Sequence, residues 1–114
     1  MRLFIRCVEG EGRLGPGKIQ LLELIDTHGS ISEAARAMNM SYRRAWLLVA
    51  ELNQGFRQPL TETQTGGKGG GHAVLTAFGR TVVDLYRKIE RDAAVAVAGP
   101  MESLAKQLAV RAEV

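Results

Sequence analysis

Five glycines and a lysine in six positions, Gly66-Gly67-Lys68-Gly69-Gly70-Gly71, constrain the fold of this 114-residue chain more than any other stretch. Ordering that many glycines inside a helix or a sheet carries a heavy entropic cost, so the run belongs at a turn. Residues 60–64, with two threonines, precede it, and residues 72–75 follow it; both are short and suit strands. The arrangement predicts a hairpin with a lysine at its tip.

Helical spacing dominates elsewhere. Residues 3–8 are rich in strand formers, with Leu3, Ile5 and Cys7 on one face and Phe4 and Arg6 on the other. Gly10, Gly12, Gly15 and Gly17 then break the chain, and Pro16 suits the first turn of a helix. Ile19, Leu22 and Ile25, flanked by Leu21 and Leu24, form a wide apolar stripe that Gly29 closes. A second, short helix is expected from an N-cap at Ser32, with Ala34, Ala35 and Met38 inward and Asn39 in the left-handed turn that ends it. Ser41 caps a third helix to about Asn53, on which Ala45, Val49 and Leu52 share a face. Thr76 caps a long fourth helix with Phe78, Val82, Leu85, Ile89, Ala93 and Ala96 in a stripe, and Gly99-Pro100 is expected to end it. A weak last helix is expected within residues 101–114.

The fold class is therefore mainly α with a small β-sheet: a winged helix-turn-helix with a long C-terminal dimerisation helix. Residues 1–75 are read as the DNA-binding part and residues 76–114 as a helical dimerisation segment of the same domain.

Composition narrows the function. One chain of 114 residues makes one domain, and a large multi-domain enzyme is excluded. No apolar run exceeds the six residues of 45–50, so nothing spans a bilayer, and no signal peptide is recognisable. The single cysteine, Cys7, excludes an internal disulfide and points to the cytoplasm. Net charge is only +3, but between Arg36 and Arg80 six basic residues face two acidic ones.

In this architecture the third helix enters the major groove with its N-terminal residues on base edges. Those residues are Ser41, Tyr42, Arg43 and Arg44, with Leu47 one turn further on. Arginine pairs with guanine O6 and N7, while Ser41 at a helix N-terminus favours a phosphate. Lys68 on the wing reaches backbone or minor groove in this reading. Two roles stand for several of these residues. Ser41 is a cap or a phosphate ligand, Tyr42 packs across the turn or meets DNA, and Arg36 meets a phosphate or pairs with a nearby acid. Trp46 is read as core or rim packing, and His28 and His72 as surface residues.

A specific resemblance rests on these residues. Ser30-Ile31-Ser32, Ala34-Ala35, Met40-Ser41-Tyr42-Arg43-Arg44-Ala45-Trp46, Glu51-Leu52-Asn53 and the stretch from Thr65-Gly66-Gly67-Lys68-Gly69-Gly70-Gly71 through His72-Ala73-Val74-Leu75-Thr76 are similar to the N-terminal DNA-binding domain of ModE, the bacterial molybdate-responsive regulators. The likeness covers residues 1–95, and the helix-turn-helix half more loosely resembles LysR-type regulators. The resemblance implies a homodimer on a palindromic operator, typically repressing molybdate-uptake genes. ModE proper continues into small β-barrel domains that bind molybdate. This sequence stops at Val114, and with Met1 and a tapering C-terminal helix it is read as a complete short protein. No cofactor and no direct molybdate binding are expected, and double-stranded DNA is the expected partner.

The stripe of Phe78, Val82, Leu85 and Ile89 is expected to pair two copies; the competing reading is that it only covers the chain's own core. An enzyme is a poor rival. Lys68 is followed by Gly69, which breaks a Walker loop, and His72 breaks the dinucleotide fingerprint. Two histidines, three aspartates and one cysteine show no catalytic or metal-binding spacing. The alternatives that remain are a winged-helix protein-docking module and a sequence-tolerant binder of chromosomal DNA.

Overall fold

The computed structural model describes residues 5–6, 13–64 and 72–109. Its elements run β1 (Ile5–Arg6), β2 (Arg13–Leu14), α1 (Pro16–His28), α2 (Ile31–Ala37), α3 (Tyr42–Gly55), β3 (Thr61–Gln64), β4 (His72–Leu75) and α4 (Ala77–Gln107). Two antiparallel ribbons result, β1 on β2 with Ile5 opposite Leu14, and β3 on β4 from Thr61–Leu75 to Gln64–His72. The architecture is the mainly helical winged helix-turn-helix with a long last helix. The two-residue β2 falls within the glycine-rich break, where the sequence has no strand pattern; pairing with β1 creates it.

α1 is the centre of the fold because its stripe is wide. Ile19, Leu21, Leu22 and Ile25 are all fully buried. Ile19 and Leu22 join Leu52, Leu60, Leu75 and Tyr86 in one cluster, while Leu21 and Ile25 join Ile31, Ala34, Ala45 and Val49 in another. Pro16 opens the helix and Gly29, at φ 70°, closes it with its N–H on the Ile25 carbonyl at 2.7 Å. Alanines at 34, 35 and 45 let α2 and α3 approach closely.

Two expectations need correction. The N-cap of α2 is Ser30, not Ser32: extended Ser30 accepts a hydrogen bond on Oγ from the Glu33 N–H at 3.1 Å. Starting two residues earlier buries Ile31 at the first helical position and completes the serine-x-x-glutamate capping pattern. Nor does Gly99-Pro100 end the last helix, because α4 runs through Pro100 to Gln107. Proline removes one N–H and leaves the carbonyl four residues back without its donor. Here that residue, Ala96, is exposed, on a stretch of helix outside the core. Residues 101–107 accordingly continue α4 rather than forming a separate helix.

α4 starts as part of the core and then leaves it. Gly79, Val82, Val83 and Tyr86 are buried, and Arg87 closes the seam with α1. Its Nη2 and Nε reach Glu23 at 2.6 and 3.2 Å, and its Nη1 reaches Glu90 at 2.8 Å. These hydrogen bonds hold the Arg87 guanidinium above its already high ordinary pKa, Glu23 first. Beyond this point the helix projects. The radius of gyration is 17.8 Å, against about 13 Å for a compact chain of this length.

Candidate nucleic-acid interface

The turn between α2 and α3 sets the direction of the third helix. Asn39 takes the left-handed conformation at φ 57°, and the Met40 N–H returns to the Ala35 carbonyl at 3.0 Å. Asparagine tolerates that conformation better than a branched residue. Ser41 follows, extended, and its Oγ accepts the Arg44 N–H at 3.1 Å. Ala45, Val49 and Leu52 then bury one face of α3, which leaves Ser41, Tyr42, Arg43 and Arg44 in water together.

Electrostatics single out this end of the helix. Most nearby cations already face carboxylates: Lys18 with Glu51 at 3.4 Å, Arg36 with Glu33 at 3.3 Å, Arg80 with Asp26 at 2.8 Å. The Arg57 guanidinium lies 5.4 Å from the centre of the Phe78 ring. Arg43 and Arg44 have no carboxylate partner among the described residues. Two exposed guanidinium groups beside the positive end of a helix dipole attract an anion.

The wing is braced against α3 from below. Asn53, in the last turn of α3, accepts the N–H of Leu60 at 2.9 Å and of Thr61 at 3.2 Å on Oδ1. Its Nδ2 donates to Thr61 Oγ1 at 3.1 Å. On the other strand the Ala73 N–H donates to the Gly29 carbonyl at 3.0 Å, and the Thr76 N–H to the Leu60 carbonyl at 3.0 Å. Both strands are therefore tied to the helix-turn-helix, β3 through Asn53 and β4 through Gly29.

The expected site residues divide as follows. Ser41, Tyr42, Arg43, Arg44 and Leu47 lie together on the open side of α3, and Arg36 is exposed on α2 beside its Glu33 partner. Lys68 lies outside the described residues, as does Cys7. Of the helical stripe on α4, Val82 is in the core and Phe78 packs edge-on against Phe56 at 6.4 Å, whereas Leu85 and Ile89 are exposed. His28 and His72 are exposed. Trp46 is not core: it is 50% exposed and lines a cleft of about 470 Å³ with Tyr42, Arg43 and Leu47. Its spacing of four from Tyr42 was the available signal. Asn53 as a brace had none, since its partners lie seven and eight residues away across a loop. Among the described residues no group of histidine, cysteine, aspartate or glutamate is placed to hold a metal ion, and no helix is long and apolar enough to cross a membrane.

Two helices joined by a left-handed turn, the second serine-capped and presenting exposed arginines, with a braced hairpin behind, define a helix-turn-helix DNA-binding domain. Residues 17–80 match the bacterial regulatory helix-turn-helix proteins of the lysR family, and the chain belongs to that family. It is also 45% identical over 81 residues to the molybdenum-pterin-binding protein MopA of Rhodobacter capsulatus, covering 71% of this chain and 31% of that protein. Over 71 residues it is 46% identical to the DNA-binding transcriptional dual regulator ModE of Escherichia coli K12, covering 62% and 27%. The molybdenum transport protein ModE of Azotobacter vinelandii is 39% identical over 77 residues, covering 68% and 28%. The matched regions thus span about three-tenths of these relatives' length. The chain is a DNA-binding regulator domain related to the ModE and Mop proteins.

Proposed function

We propose that this chain works as a homodimeric, sequence-specific repressor of the ModE type on a palindromic operator, without binding molybdate through these residues. One observation carries the reading: Arg43 and Arg44 stand exposed at the capped start of α3, with no carboxylate partner among the described residues. In this mechanism Arg43 and Arg44 hydrogen-bond guanine edges in the major groove, and Tyr42 and Leu47 complete the surface against the bases. Ser41, Arg36 and Lys68 anchor phosphates. The Arg36–Glu33 pair is exposed at both ends, so a phosphate displaces it at small cost. DNA as partner places the protein in the bacterial cytoplasm, and no catalytic step is involved.

Pairing uses α4. Its 31 residues extend ~46 Å at 1.5 Å per residue, well beyond the core they start in. Leu85 and Ile89 remain uncovered there, followed by Met101, Leu104 and Leu108. In this reading residues 1–75 carry the DNA surface and residues 76–114 the pairing helix. Two-fold pairing sets the two recognition helices ~34 Å apart, one turn of DNA. Occupying the operator is sufficient to repress.

Fluorescence anisotropy on duplex from the chain's own upstream region, against scrambled duplex at several salt concentrations and with or without molybdate, tests this. Tight binding that survives scrambled competitor is expected, unchanged by molybdate. Equal binding of both duplexes would indicate a sequence-tolerant binder, and no binding would indicate a protein-docking winged helix. A reporter gene activated rather than silenced by the protein would overturn the repressor assignment.

A further inference from the structure

Tyr42, Trp46 and Leu47 are 56%, 50% and 50% exposed, three large apolar side chains on the first six residues of one helix. Single exposed apolar residues are ordinary; three contiguous ones mark a contact surface. They occupy two adjacent rows of α3, Tyr42 with Trp46 and Arg43 with Leu47, each pair one turn apart. Arg43 therefore sits within an apolar setting, and all four line the same open cleft.

Charge decides the occupant. An apolar protein surface docked here would bury the Arg43 guanidinium without an acceptor, which is costly. The major groove offers acceptors and an apolar group side by side, because thymine alone among the bases carries a methyl group there. The four residues from Arg43 to Leu47 advance ~6 Å along the helix, close to two base-pair steps of ~3.4 Å. Resting on the DNA-binding reading above, we propose that Leu47, with Trp46 beside it, reads a thymine methyl within two base pairs of the guanine that Arg43 contacts.

The test begins with duplexes selected from a random pool by the full chain. Each thymine is then replaced by deoxyuridine, which pairs identically but lacks the methyl, and each guanine by 7-deazaguanine, which lacks the N7 acceptor. One uracil substitution is expected to weaken binding about fourfold, the worth of one buried methyl, within two base pairs of a sensitive guanine. Leu47→Ala abolishes the uracil penalty and keeps the deazaguanine penalty; Arg43→Ala does the reverse. Both positions are exposed, and circular dichroism melting confirms that each variant folds. Selected duplexes indifferent to uracil would overturn the methyl-reading inference while leaving sequence-specific binding intact. So would a uracil penalty that persists undiminished in both Leu47→Ala and Trp46→Ala. Failure to select any preferred duplex would overturn the DNA-reading assignment itself, and this inference with it.

Discussion

Asn53, at the end of the recognition helix, receives the backbone N–H of Thr61, the first residue of the wing, at 3.2 Å, and returns a hydrogen bond to the Thr61 hydroxyl at 3.1 Å. One side chain thus ties the wing to the third helix. Asn53→Ala leaves the Leu60 and Thr61 N–H groups without that acceptor in a buried place, which costs about 2–3 kcal/mol. Urea denaturation checks the loss. Asn53→Asp, which keeps the acceptor oxygens, is expected to lose less; equal losses would show that packing rather than acceptance matters.

Gly79 packs against the backbone of Leu60 so closely that a Cβ there would overlap the Leu60 carbonyl oxygen. That carbonyl cannot retreat freely, since it accepts the Thr76 N–H at 3.0 Å. Gly79→Ala is expected to destabilise the fold by about 2–3 kcal/mol through overpacking, despite alanine's better helix propensity. A thermal midpoint at or above the parent's would refute this contact.

Arginine and lysine substitutions separate reading from anchoring. Arg43→Ala or Arg44→Ala should cost about 1–3 kcal/mol on the preferred duplex and relax its sequence preference. Lys68→Ala should weaken all duplexes alike and flatten the salt dependence by about one unit. Anisotropy titrations at three salt concentrations distinguish the two patterns. A Lys68 variant with unchanged affinities would remove the wing from the interface.

Exposed Leu85 and Ile89 make the pairing of α4 testable without damage to the core. The double change to glutamate is expected to convert a dimer to a folded monomer in sedimentation velocity and to weaken operator binding by more than tenfold, since two linked half-sites act as one. A monomeric parent at micromolar concentration would dispose of the dimer.

A contribution to acid sensitivity is expected from α4. Lys88 donates to Asp92 at 2.7 Å and holds its carboxyl below the ordinary carboxylate range. A depressed folded value contributes stability above the unfolded pKa of ~3.9 that fades as pH falls through the folded one. Asp92→Asn should therefore narrow the stability gap between pH 6 and pH 3; an unchanged gap would assign the acid sensitivity elsewhere. Arg87→Ala should cost about 1 kcal/mol at neutral pH, through lost contact with Glu23 and Glu90.

What the residues determined alone is local and periodic. Pro16 and Gly29 bound α1, Ser41 caps α3, Thr76 caps α4, and Ala45, Val49 and Leu52 declare which side of the recognition helix faces inward. Each depends on neighbours within a turn or so, so spacing and side-chain chemistry suffice to read it. Tertiary structure decided the rest. Of two serines flanking Ile31, only the one that lets Ile31 reach the core becomes the cap. Pro100 is carried inside α4 because the surrounding helix lies in water. One stripe on α4 divides into buried Val82 and exposed Leu85, and Trp46 stays out of the core because Ala45 and Val49 already fill the approach to α1. Burial belongs to surfaces brought together from distant parts of the chain, and no window of sequence records which surface arrives.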